Sequence, residues 1–300
     1  MSSKLLVKSW RVFLTEGNDF QLTPKVGVVS TTKNPVNLQE WINHHKKIGV
    51  DKIILFFDDM KNDASNIKIA HRNENVHVFK SNKDVKGTHY NRQIVNCQRG
   101  INVLSEMGCN WVFHIDDDEL IYSKAKNKIG ESILNELIDP NSHVIRLQNF
   151  ENLRTNKEYN EYNYFKDENI FVEGGLYSYG GIEVGCGKSG INTQYSEYLY
   201  PDGVHLFEHI TETTNNHVSG DLIILHYPHN IYERFIDKCS KRGNTTCPWG
   251  VYKRIYEMVR DGKPEKDLKK VYRDNIIYDK DRIKHLSDSG RHIFKFETYL

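Results

Sequence analysis

Over the first half of the chain, apolar residues fall in short runs separated by polar turns. Val26 to Ser30 is the first clear run and predicts a short buried strand, followed by a polar turn from Thr31 to Pro35. Leu38, Trp41, Ile42, His45 and Ile48 then recur at the spacing of one helical face, with Gly49 as a stop. Lys52 to Phe57 predicts a second strand, ending in Asp58 and Asp59. Strand, helix, strand in this order is the pattern of a βαβ unit with a parallel sheet. Residues 60 to 75 are polar, and Val76 to Phe79 predicts a third strand. Ile94, Cys97, Ile101 and Leu104 line a helical face that ends near Gly108.

The next run, Trp111 to Ile115, reads as a fourth buried strand and leads directly into Asp116, Asp117, Asp118 and Glu119 before Leu120 and Ile121 turn apolar again. In an extended chain alternate side chains share a face. Asp116 and Asp118 are therefore expected on one side, Asp117 and Glu119 on the other. Two carboxylates a few ångströms apart repel unless protons or a cation neutralise them. A hard divalent ion held by carboxylate and phosphate oxygens fits; an inert solvated turn is the alternative. In open α/β sheets, ligands bind beyond the carboxyl ends of the strands, where these acids lie.

The second half is less periodic. Ile133, Leu134, Leu137 and Ile138 predict a short helix stopped by Pro140, and Val144 to Leu147 reads as a strand. Residues 149 to 202, rich in Tyr, Asn and Gly, read as a loop-rich half. Leu222 to Leu225 is a buried strand followed at once by His226, a possible ligand for a borderline ion or a strand-end histidine bonded to a carbonyl. Helical spacing returns at Ile231, Phe235 and Ile236 and at Val251, Ile255 and Val259; beyond Asp261 the chain is polar and Lys-rich. GCGKSG, residues 185 to 190, lacks the glycine that a phosphate-binding P-loop needs at position 182, which is Ile182. Lys188 and Ser189 can still meet a diphosphate through ammonium, hydroxyl and backbone N–H.

Composition adds limits. The chain has 300 residues, 38% hydrophobic and 27% charged, with a net charge of +1. That suits a globular protein and gives no field that would draw nucleic acid. The five cysteines form no CxxC pair, which argues against zinc and against a disulfide framework. Neither a signal segment nor a membrane-spanning run is read in it, so a cytoplasmic chain is expected.

Three segments carry a resemblance to a family. NLQEWINHHKKIGVDKIILFFDD (37–59), WVFHIDDDELI (111–121) and the ordered set GKS (187–189), GVH (203–205) and LHY (225–227) are similar to glycosyltransferase family 92 and its family-2-like relatives. The resemblance implies a GT-A type fold: a Rossmann-like mixed sheet flanked by helices, with the loop-rich half on the acceptor side. It also implies an N-terminal extension (1–24), a glycosyltransferase domain (25–260) and a polar C-terminal extension (261–300) packed on or near it. The implied activity is transfer of a hexose from a nucleoside-diphosphate sugar, UDP-linked, to a hydroxyl of a glycan or glycoprotein. Asp116, Asp118 and His226 are the implied ligands of Mn2+ or Mg2+. Ser30, Thr31, Asp58, Asp116, Asp117, Lys188 and Ser189 are expected around the nucleotide sugar. Asp202 and Glu208, with Glu151 and Glu183, are candidates for a catalytic base if transfer inverts the anomeric centre. Glu119 is expected to support the site from below. The turn after the first strand departs from the family, which has Asn-Glu where this chain has Asn34-Pro35. A phosphatase of the haloacid-dehalogenase type is disfavoured, since its nucleophilic aspartate follows the first strand. A non-catalytic carbohydrate- or calcium-binding protein on the same scaffold is the alternative from another class.

Overall fold

The computed structural model describes residues 23–81, 89–136, 142–157, 162–174, 187–211, 213–242 and 250–299. The first half folds as the apolar pattern predicts. Strand β1 (Val26–Thr32), helix α1 (Leu38–Lys47), strand β2 (Lys52–Phe57), helix α2 (Ala64–His71), strand β3 (Val76–Lys80), helix α3 (His89–Glu106) and strand β4 (Trp111–His114) alternate along the chain. Strands β3, β2, β1 and β4 lie side by side and parallel. Both faces of β1 and β2 are covered, so their residues are buried almost without exception. Helix α1 buries Leu38, Trp41 and Ile42 against one face. Helix α3 packs Cys97, Ile101 and Leu104 against the other. Gly100 brings α3 onto β1, since a Cβ there would lie 2.3 Å from a Val29 methyl. Helix α2 is the element missed in this half; its stretch is polar because only Ala70 is buried.

The second half is a mixed, mostly antiparallel wing. It comprises β5 (Glu119–Ser123), α4 (Ile129–Glu136), β6 (Val144–Asn152), the short α5 (Tyr164–Asp167), β7 (Ile170–Glu173) and β8 (Lys188–Asn192). Hairpin strands β9 (Leu199–Asp202) and β10 (Leu206–His209), then β11 (Asn216–His226), follow. Strand β8 sits between β4 and β6, antiparallel to both. Strand β11 runs parallel to β6 and antiparallel to β5. Where residues 149 to 202 are described, the loop-rich expectation is thus corrected: β6 continues to Asn152, and three further strands begin before residue 200. Strands β7 and β9 are only four residues each, and β8 is hidden by its polar, glycine-bearing sequence. Strand β8 reads Lys-Ser-Gly-Ile-Asn, yet every residue is buried, and Gly190 lies where a Cβ would strike the Phe113 ring at 2.4 Å.

Helices α6 (Tyr232–Arg242), α7 (Gly250–Arg260) and α8 (Glu265–Ile276) share an apolar cluster around Phe235, Ile255 and Tyr272. Helix α9 (Lys280–Asp288) leads to β12 (Ile293–Lys295), which pairs with β7 and so adds the chain's last strand to the main sheet. The whole is a mixed α/β fold whose sheet is flanked by helices. No helix among the described residues is long and apolar enough to cross a membrane.

Candidate active site

The acids lie in the tight connection between β4 and β5, where the Glu119 N–H donates to the Asp116 carbonyl at 3.2 Å. The expected strand-like alternation is corrected here, because it holds only for extended backbone and this backbone turns. The three aspartates consequently go to three different partners.

Asp116 is locked. Lys188 Nζ donates to its Oδ2 at 2.8 Å and Gln93 Nε2 to its Oδ1 at 2.9 Å, while its own N–H donates to Glu119 Oε2 at 2.8 Å. The Lys188 side chain is fully buried and also lies 3.5 Å from Glu119. Burial disfavours the lysine's charge, but Asp116 and Glu119 outweigh it and hold its pKa above the ordinary value. Burial likewise disfavours the Asp116 carboxylate, and Lys188 reverses the balance and pulls its pKa well down. One cation cannot fully neutralise both Asp116 and the buried Glu119. Glu119, the farther one, is pushed up to about 8 by burial, against the pull of Lys188.

Asp117 faces the other way. It accepts from the Thr32 hydroxyl at the end of β1 and lies 3.3 Å from Arg234 Nη2 in the first turn of α6. Burial raises its pKa, with Arg234 opposing. Asp118 is the open one. The only side chain it pairs with among the described residues is His226, whose Nε2 lies 3.9 Å from Oδ1, and both side chains are 27% exposed. His226 stands opposite Glu119 in the β5–β11 ladder, and the next residue, Tyr227, donates its N–H to the Asp118 carbonyl at 2.9 Å.

Beside the turn, Asp58 directly follows β2 and accepts from Arg92 Nη2 at 2.8 Å, with His89 Nδ1 at 2.7 Å. Burial raises its pKa, but hydrogen bonds from His89, Arg92 and Ser81 bring it far below the carboxylate range. Thr31 Oγ1 accepts from Asn96 at 3.2 Å, and the buried Ser30 hydroxyl finds no partner among the described residues. On the opposite side, the tip of the β9–β10 hairpin is fastened to the site floor. Lys188 Nζ lies 3.4 Å and His114 Nδ1 3.3 Å from the Val204 carbonyl, and Ser189 Oγ donates to the His205 carbonyl at 2.7 Å. Asp202 is exposed next to that tip. Glu208, also exposed, accepts from the Tyr200 hydroxyl at 3.0 Å. Glu151 is buried in β6, in register with His226. Glu183 lies outside the described residues.

Of the expected site residues, Asp58, Asp116, Asp118, Lys188 and His226 thus gather at the carboxyl edge of the parallel strands. Lys188 and Ser189 arrive already bonded to the protein. Thr32 falls within the Val28–Thr32 stretch expected to flank the nucleotide, whereas His89, Arg92, Gln93 and Arg234 were not foreseen. Of these His89, Arg92 and Gln93 had a usable signal, namely polar residues at the start of the helix preceding the acid strand. Among the described residues no three His, Cys, Asp or Glu side chains form a ready-made metal cage. Asp118 and His226 do present one carboxylate and one imidazole on an open side, a donor set that suits a borderline divalent ion completed by ligand oxygens.

Residues 31–249 match the model of glycosyltransferase family 92, nearly three quarters of the chain. The chain belongs to glycosyltransferase family 92. This family 92 protein is also similar to two glycosyltransferase-like proteins of Arabidopsis thaliana, at 20% identity over 89% of the chain and at 22% over 75%. It spans 61% and 58% of their lengths. Among solved structures, it is similar to HddC from Yersinia pseudotuberculosis, with 16% identity, TM-score 0.36, and 72% of this chain and 98% of that one covered. A second likeness is to 4-diphosphocytidyl-2C-methyl-D-erythritol synthase from Anaerococcus prevotii, with 13% identity, TM-score 0.32 and coverages of 58% and 73%.

Proposed function

We propose that this chain is a metal-dependent glycosyltransferase that moves a hexose from a UDP-linked sugar to a hydroxyl of a glycan or glycoprotein. Family membership supports the reaction class. The observation that carries the metal-dependent form is the Asp118–His226 pair, open to solvent and otherwise unpaired among the described residues, beside an Asp116 whose charge is already matched.

Asp118 and His226 would hold a manganese or magnesium ion, which supplies Lewis-acid charge against the departing diphosphate. Asp116, fixed by Lys188 and Gln93, keeps a carboxylate facing the ribose side. Asp58 directly follows β2 and offers acceptor oxygens to the base or ribose, its charge held by His89 and Arg92. Lys188 contributes positive potential from below. Arg234 adds a second cation on the Asp117 side. If transfer inverts configuration, Asp202 is the base we assign, since Glu208 is engaged by Tyr200.

The test is a panel of nucleotide sugars with Mn2+ and a mixed glycan acceptor, scored for free nucleoside diphosphate. One donor is expected to turn over, and Asp118→Ala to abolish it. A carbohydrate- or calcium-binding protein would bind ligand and release no nucleoside diphosphate from any donor. Transfer by Asp118→Ala at the wild-type rate would contradict the site assignment.

A further inference from the structure

We propose that Trp41, His44 and His45 of helix α1 are positioning residues for the acid turn. They stand in for a missing neighbouring strand along the open edge of β5. Among the described residues, strand β5 pairs with β11 on one edge only. In an antiparallel strand, alternate residues direct their N–H and C=O to the same edge, so Glu119, Ile121 and Ser123 present backbone groups on one side. Left bare in the core, each such group would carry a desolvation cost.

Side chains of α1 meet them one by one. Trp41 Nε1–H donates to the Glu119 carbonyl at 2.8 Å. His44 Nε2 lies 2.7 Å from the Ile121 carbonyl and donates to it. The Ile121 N–H donates to His45 Nε2 at 3.3 Å, and His45 Nδ1 donates to the Trp41 carbonyl at 2.8 Å. Farther along, the Tyr299 hydroxyl donates to the Ser123 carbonyl at 3.3 Å. Positions 41, 44 and 45 share one helix face. The two histidines must be opposite neutral tautomers, one matching the C=O of Ile121 and the other its N–H. Packing alone does not ask for this, because two adjacent, fully buried imidazoles are a costly way to fill space.

The clamped strand begins at Glu119, and Glu119 reaches the chemistry in two ways. Its carboxylate accepts the Asp116 N–H and approaches Lys188. Its backbone position sets the register with His226, whose neighbour Tyr227 bonds the Asp118 carbonyl. A shift of β5 along α1 would therefore move Asp116, Asp118 and His226 together. The consequence for catalysis rests on the glycosyltransferase function proposed above, whereas the consequence for the turn does not.

The experiment compares wild type with Trp41→Phe, His45→Leu and the rescue variant His45→Gln, whose amide oxygen can still accept from Ile121. Hydrogen exchange resolved to single amides is read first. Trp41→Phe and His45→Leu are expected to speed exchange at Ile121, Asp116 and Tyr227 by at least roughly tenfold while the core amides of β1 and β2 keep their rates. His45→Gln is expected to restore most of the protection. Mn2+ with UDP, titrated calorimetrically, is read second, and the two clamp variants should bind it at least roughly tenfold more weakly. Faster exchange confined to Ile121, or raised evenly across the sheet, would overturn the inference, as would clamp variants that bind Mn2+ and UDP as the wild type does. If the wild type binds neither Mn2+ nor UDP, the proposed function fails, and the exchange pattern alone still decides the clamp.

Discussion

Asp116 and Asp118 are two residues apart in sequence and in opposite circumstances. Asp116 is held by Lys188 and Gln93 through its carboxylate and by Glu119 through its N–H, and its charge is cancelled inside the protein. Asp118 faces only His226 among the described residues, across 3.9 Å; its side chain is 27% exposed and that of Asp116 28%, so the two differ in their partners and not in their exposure. The locked residue belongs to the floor of the site, together with Lys188, Glu119 and the α1 clamp. The open one belongs to the rim where a ligand arrives. A row of three identical acids is therefore not a row of three equivalent ligands. The partner that each meets in the fold, Lys188, Arg234 or His226, decides what it can do.

The floor breaks most severely at Lys188. Lys188→Met leaves the Asp116 carboxylate, 28% exposed, without its fully buried cation, and a loss of up to about 3–5 kcal/mol is expected in urea unfolding. An unchanged midpoint would show that Asp116 is not locked. The floor is also acid-sensitive. Burial lowers the pKa of His44 from 6.5 to about 4, with the Ile121 hydrogen bond only partly opposing. The unfolded chain then takes up a proton at higher pH than the folded one, so stability is full above about pH 6.5 and falls as pH drops toward 4. The fall is on the order of 3 kcal/mol. His44→Gln should flatten that slope in unfolding curves taken between pH 7 and pH 4.5.

Asp117 tests whether its side is structural. Asp117 is buried and burial already disfavours its charge, while Arg234 is about one third exposed, so Asp117→Asn should cost about 1–3 kcal/mol. The asparagine can still accept from Thr32. Its Mn2+ affinity is expected to match the wild type, and a large loss would move Asp117 from floor to rim. The smallest effect is expected at Glu119. It is already mostly protonated near neutral pH, so Glu119→Gln should keep Mn2+ affinity within about twofold in calorimetry.

The parallel half was legible because its strands are apolar runs and its helices show one face each. Helix α1 and strand β2 fall where the spacing of Leu38, Trp41, Ile42 and His45 and the run Lys52–Phe57 put them. The wing was not. Strand β8 buries Lys188, Ser189 and Asn192 because each has a polar partner, and a pattern-based reading takes buried polar residues for a loop. The acid turn was legible as chemistry but not as geometry, since the side-chain directions follow from a turn that four acids do not announce. Arg234 lay in a helix found correctly, but nothing in its neighbours points to Asp117. His45 was counted with the apolar face of α1, and its hydrogen-bonding role depends on an edge of β5 formed by residues 76 positions away.

The most direct measurement is calorimetric titration of Mn2+ in the presence of UDP into Asp118→Asn, alongside its thermal unfolding. The open-rim account predicts an affinity reduced at least roughly tenfold with an unfolding midpoint close to that of the wild type. Wild-type affinity in Asp118→Asn would contradict it.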